Sequence, residues 1–180
     1  MLKIELRGAA LAARAVAGLG ALLVAAAMLS AGAQAGEVDR IAIVDFGIYE
    51  HKVERFEPEP SHISRERVIV TNVTLLRRAE EVDAQLGRMI GFQFRVTDPA
   101  LVGQTLTVRR IVPPLTNPKT GQTATTIERD IVVSYDGQLM LNGYRFDYDW
   151  EMAEGLWRFQ VLHNGSVIAE KTIKVILAMN

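Results

Sequence analysis

From about residue 40 onward, short runs of β-branched and aromatic residues alternate with clusters of Gly, Pro, Asn and Asp. That spacing predicts an all-β sandwich or barrel. Residues 40–49, RIAIVDFGIY, form the first predicted strand. Ile41 and Ile43 occupy one face, whereas Val44, Phe46 and Ile48 occupy the other. The face switch near Ile43–Val44 predicts a bulge there, or burial on both faces. Residues 50–67 are polar, contain Pro58 and Pro60, and read as a loop. Residues 68–76 are β-branched and read as a strand. Residues 75–86, LLRRAEEVDAQL, have helical propensity, with Gly87 where a helix would end. However, Val82, Ala84 and Leu86 alternate and run into 89–96, MIGFQFRV, which alternates cleanly. We therefore expect extended chain with a turn at Gly87.

In the second half, residues 105–112 predict a strand ended by Pro113-Pro114. Residues 113–122 read as a surface loop, because three prolines and a glycine deny it ladder donors. Residues 123–135 predict a long strand, followed by a turn at Asp136-Gly137. Residues 144–150 alternate Tyr144, Phe146, Tyr148 and Trp150 against Arg145, Asp147 and Asp149, predicting a half-buried strand with an aromatic inner face. In the final hairpin, Trp157, Phe159 and Val161 share one face, as do Val167, Ala169, Ile173 and Val175. A two-residue type I′ turn at Asn164-Gly165 would pair Val161 with Ile168. A three-residue loop with Gly165 in the left-handed region pairs Val161 with Val167, Phe159 with Ala169 and Trp157 with Lys171. Only the latter matches the apolar faces, and a one-residue slip inverts every side chain. The three-residue loop is therefore the expectation.

The first 35 residues follow a different pattern. Lys3, Arg7 and Arg14 precede the apolar run AVAGLGALLVAAAML, and the stretch closes on Ala33-Gln34-Ala35. This predicts a cleavable signal-peptide helix, with cleavage between Ala35 and Gly36. Retention as a membrane anchor is the alternative, which the Ala- and Gly-rich run meets poorly. No Arg pair suggests a twin-arginine route, and a chain without Cys has no lipid-attachment site. The expected location is periplasmic or secreted, with membrane contact only through the leader before cleavage. Residues 36–180 then form one domain.

Of 20 basic and 21 acidic residues, the leader holds Lys3, Arg7, Arg14 and Glu5, leaving 17 against 20 and a net charge of −3. That balance argues against a nucleic-acid partner. Zero Cys removes disulfides, thiolate metal sites and cysteine nucleophiles, so stability must come from apolar packing.

Candidate chemistry is sparse. His51 and His62 lie in the predicted 50–67 loop near Glu50, Glu54, Glu57 and Glu59, without a recognised metal-ligand spacing. Asp147, Asp149 and Glu151 would share a strand face, with Glu154 nearby, but no calcium-loop pattern is present. The serines sit in no Gly-x-Ser-x-Gly elbow. We assign no catalytic residue, no metal and no cofactor. The binding candidates are His51, His62, Asp147, Asp149 and Trp150.

Asp45-Phe46-Gly47-Ile48-Tyr49, Leu86-Gly87-x-x-x-Gly91-Phe92, Glu154-Gly155-x-Trp157-x-Phe159-Gln160-Val161 and Ile173-Lys174-Val175 together carry a resemblance. Over about residues 38–177 the chain resembles a family of small secreted bacterial proteins defined only as a domain of unknown function. The closing Gly-x-Trp-x-Phe hairpin is also similar to the last strands of bacterial immunoglobulin-like domains, whose Trp packs between the sheets. The resemblance implies an antiparallel immunoglobulin-like β-sandwich of about eight strands, extended chain at 82–86, and structural roles for Gly87, Gly91, Trp157, Phe159 and Gly165. It brings no catalytic residues.

These readings lead to an expected non-catalytic binding or structural module, with another exported protein as a possible partner and the 113–122 loop as a contact surface. Two alternatives stand beside it. One is a metal-binding protein or hydrolase using the 50–67 loop and the 147–154 acids; the other is a small β-barrel carrying a lipophilic ligand.

Overall fold

The computed structural model describes residues 39–177. The signal-peptide helix expected over residues 1–35, and its cleavage at Ala35–Gly36, lie outside the described residues. Nine strands follow in chain order: β1 (Ile41–Pro58), β2 (Glu66–Arg78), β3 (Glu81–Asp83), β4 (Met89–Val96), β5 (Thr105–Thr116), β6 (Thr123–Val132), β7 (Leu139–Arg145), β8 (Gly155–His163) and β9 (Ser166–Ile176). One sheet has the order β2-β1-β4-β7 and the other β3-β9-β8-β5-β6. All pairings are antiparallel except β3 with β9. The expected β-sandwich is thus present. No helix forms over residues 75–86: β2 runs to Arg78, Glu81–Asp83 is a short strand, and Gly87 sits in the turn before β4.

The inner faces meet where the alternation predicts. Phe92, Phe94 and Ile90 of β4 and Phe146 beyond β7 face Trp157, Phe159, Ile173 and Val175, all wholly buried. The indole of Trp157 lies 5.1 Å from the Tyr144 ring and 5.3 Å, edge-on, from Phe146. Its Nε1 donates to the carbonyl of Ala153 at 3.0 Å, so the one polar atom of the indole is satisfied. Two separate sheets over this filled apolar interior exclude the lipophilic carrier barrel. Gly91 pairs with Gly143 of β7. A Cβ on Gly91 would lie 2.2 Å from the Asn142 carbonyl, so only glycine permits this approach.

The bulge expected near Ile43–Val44 is present: register with β4 shifts between Ile43 and Asp45. Four other expectations are corrected. Residues 50–67 are not a loop. β1 continues to Pro58 and β2 begins at Glu66, leaving only residues 59–65 as a connection. Beyond Tyr49, β1 has lost β4 and pairs with β2 alone. The two strands form a projecting arm with register shifts at Ile48/Tyr49, Glu50/Lys52 and Val53/Arg55. Repeated bulges turn side chains from face to face, so the arm carries no readable alternation.

Pro113-Pro114 does not end β5. The ladder with β6 breaks between Ile111 and Leu115, where the prolines lack N–H groups, then resumes at Leu115↔Ala124. The loop shrinks to residues 117–122. The strand expected over 144–150 stops at Arg145, and residues Asp149–Glu151 form a 3₁₀ turn, so Asp147, Asp149 and Glu151 share no strand face.

Finally, the hairpin has the two-residue turn. His163 pairs with Ser166 across Asn164-Gly165, whose φ values of 50° and 79° fit type I′. A bulge at Ile168 then shifts the register, so Val161 meets Ala169 and Trp157 meets Ile173. The requirement that the apolar faces agree is met, but the extra residue lies within β9 rather than in the loop.

Candidate functional site

The arm folds back towards the β5–β6 end of the other sheet and walls the candidate site. Its tip is tied to the other sheet: Asn117 Nδ2 donates to the Ile63 carbonyl at 2.9 Å, and Ile63 itself enters the core. Between the arm, β6, β7 and the floor of β5 lies a cleft of about 720 Å³. Such a volume falls within the range of small-molecule sites.

The cleft floor carries Arg110, which is only 8% exposed. It occupies the inward register of β5 with Leu106, Val108 and Val112, which are all buried. Arg110 Nε donates to Asn142 Oδ1 at 3.0 Å, and Asn142 Nδ2 in turn reaches the carbonyl of Gln160 at 2.8 Å. Nη1 and Nη2 have no hydrogen-bond partner and no carboxylate in contact among the described residues. Burial first, and then the charge of Arg129, pull the Arg110 pKa down to about 10, which leaves it cationic at neutral pH.

Beside Arg110, His62 stacks on Tyr144 with ring centroids 6.3 Å apart. Burial, helped by Arg110, lowers the His62 pKa to about 4, so this imidazole is neutral under physiological conditions. Its Nδ1 lies 2.6 Å from Ser64 Oγ. The pair has the outline of a base and a nucleophile. Yet the imidazole is too weak a base near pH 7, and no carboxylate among the described residues hydrogen-bonds its other nitrogen. Opposite, Glu151 is 1% exposed. Its carboxyl accepts from Tyr144 Oη at 2.9 Å, Asp147 N at 2.7 Å and Tyr148 N at 3.1 Å. Burial outweighs these donors and raises its pKa to about 7.

The predicted candidates divide. His62 and Asp147 line the cleft, together with Glu151. His51 stays on the arm, its Nε2 accepting from Arg145 Nε at 3.0 Å. Trp150 stacks on Tyr148 at 5.6 Å and packs against the core, and neither it nor Asp149 lines the cleft. No three His, Asp or Glu side chains converge as metal ligands among the described residues. Arg110 and Arg129 escaped the reading of the sequence. The signal was present in TLTVRRIV, where strict alternation places an arginine among inward-facing aliphatics.

Two sheets packed face to face around a buried Trp define an immunoglobulin-like β-sandwich. A crystal structure of an immunoglobulin-like protein from Pseudomonas aeruginosa is similar, with TM-score 0.55 and 20% identity over 76% of this chain and 96% of that one. The chain belongs to the family described as Domain of unknown function (DUF3859), whose profile matches residues 37–175. Among curated proteins, none matches it.

Proposed function

We propose that this protein is exported through its N-terminal leader and acts outside the cytoplasm as a non-catalytic binding module, with the cleft under the β1–β2 arm as its binding place. The observation that carries this reading is Arg110, a buried cation on the floor of a cleft of about 720 Å³, with its terminal nitrogens unpartnered. Those nitrogens open onto the cleft rather than being sealed in the core, so a ligand can reach them. The weakness of His62 as a base favours binding over turnover.

Two measurements test the reading. In a bacterial host, N-terminal sequencing of the protein outside the cytoplasm should return GEVDR; an intact Met1 in the membrane fraction would overturn export. Ligands that raise Tm should be recovered unchanged after prolonged incubation with the protein, whereas their conversion would overturn the non-catalytic assignment.

A further inference from the structure

The arrangement of cations inside the cleft indicates what it binds. Six carboxyl groups line it, of which Glu128 and Asp147 are ion-paired and the other four are held by neutral hydroxyl or backbone donors. Glu128 is held by Arg109, Asp130 by Thr107, Asp147 by Arg145, Glu66 by Tyr148, Glu59 by Ser61, and Glu151 by Tyr144 and two backbone N–H groups. Of the four arginines lining it, Arg67 and Arg145 are ion-paired, whereas Arg110 and Arg129 have no carboxylate partner among the described residues. Arg129 follows Ile127 on the inward side of β6, directly across from Val108, and makes no ion pair among the described residues. It lies diagonally across from Arg110 on the same face, close enough for its charge to help lower the Arg110 pKa. Glu59 balances Arg129 only at a distance. Two guanidiniums thus converge, one buried and one at the mouth, flanked by the neutral His62–Tyr144 stack.

We infer that the cleft receives an oxyanion, the carboxylate or phosphate group of its ligand, on Arg110 Nη1 and Nη2, with Arg129 closing over it from the mouth. This rests on the cleft being the binding place proposed above. A guanidinium fork suits both anions, because its parallel N–H groups match two oxygens at once. With Nε committed to Asn142, the geometry leaves the end-on pair of nitrogens for the ligand. The Asn142 contact, which bridges the two sheets, holds the fork in place before any ligand arrives.

The test uses the purified protein at constant ionic strength, with chloride as the reference anion. Because the chain has no Cys, Gln122→Cys on the cleft wall provides a unique attachment site for an environment-sensitive fluorophore. Inorganic phosphate and citrate are titrated separately, and the stronger of the two identifies the group. A saturable response to one of them is expected, weakened about tenfold or more in Arg110→Gln and Arg129→Gln. Arg110→Lys should restore only part of it, since a point charge replaces a fork. If Arg110→Gln fails to fold, Arg129→Gln decides alone. Equal responses in the wild type and Arg129→Gln, or none beyond chloride, overturn the inference. A response to a neutral disaccharide or a diamine, but to neither anion, overturns the inference and leaves the binding reading standing. Silence to all four overturns both.

Discussion

Replacing Glu151 by Gln should uncover a cancellation in the pH dependence of stability. Glu151 has an ordinary carboxyl pKa of 4.5 when unfolded and about 7 when folded. As pH rises from 4.5 to 7, the unfolded chain releases this proton and the folded one keeps it. Stability is therefore lost over that window, by about 3 kcal/mol at 1.36 kcal/mol per unit. His62 behaves oppositely, with 6.5 unfolded and about 4 folded. Its contribution is full above pH 6.5 and is lost as pH falls towards 4, by a similar amount. Between about pH 4.5 and 6.5 the two slopes offset each other. Gln keeps the shape of Glu151, still accepts from the Asp147 and Tyr148 amides, and can donate to Tyr144. In Glu151→Gln the His62 slope should stand alone, so stability climbs with pH; in His62→Asn it should fall with pH. Urea unfolding at several pH values reads this directly. With slopes of about 1–3 kcal/mol/M, the gap between Glu151→Gln and wild type should widen by roughly one molar or more in midpoint from pH 4.5 to 8. Other carboxylates are common to both proteins and drop out of the difference. A gap that stays constant with pH would refute the argument.

Trp157→Ala should cost about 3–5 kcal/mol in urea unfolding, a large part of the stability of such a domain, because the wholly buried indole contacts both Tyr144 and Phe146. Gly91→Ala and Gly165→Ala should separate sharply by the same measurement. The first drives a Cβ into the Asn142 carbonyl and should cost about 4 kcal/mol or more. The second meets nothing within 4 Å and should cost only the roughly 1–2 kcal/mol of a left-handed alanine. Asn117→Ala leaves the Ile63 carbonyl unpaired, at about 1–3 kcal/mol, and should speed amide exchange over residues 59–65 without changing that of β8.

What could be read from the sequence depended on regular periodicity. β4 and β8 were legible because Ile90, Phe92, Phe94 and Val96, and Trp157, Phe159 and Val161, fall on alternate positions, as was the bulge at Val44, because Ile41 and Ile43 disagree in phase with Phe46 and Ile48. The arm was not legible. Three register shifts scramble its faces, and its charges are solvated on both sides, so Glu50 to Glu57 resemble a loop. The hairpin shows a subtler limit. Matching faces required one extra residue, but nothing local distinguished a bulge at Ile168 from a longer turn. For the site, His62, Asp147 and Glu151 attract notice as titratable residues. Their convergence depends on the arm folding back, a contact between positions such as Ile63 and Asn117 that are distant along the chain. Arg110 was accessible to a simple question, namely why an inward register position in β5 should be charged.

The irregularity of the arm also bears on how these molecules meet one another. A sandwich has four sheet edges, and each presents backbone groups that a neighbouring chain could extend. Here β3 is three residues long, and the β2 edge is kinked by its bulges, so both make poor templates. The two regular edges, β6 and β7, flank the cleft, and the arm's tip leans across the space between them. One bent hairpin therefore kinks one edge and leans over two others, so a neighbouring chain would find few straight strands here to extend.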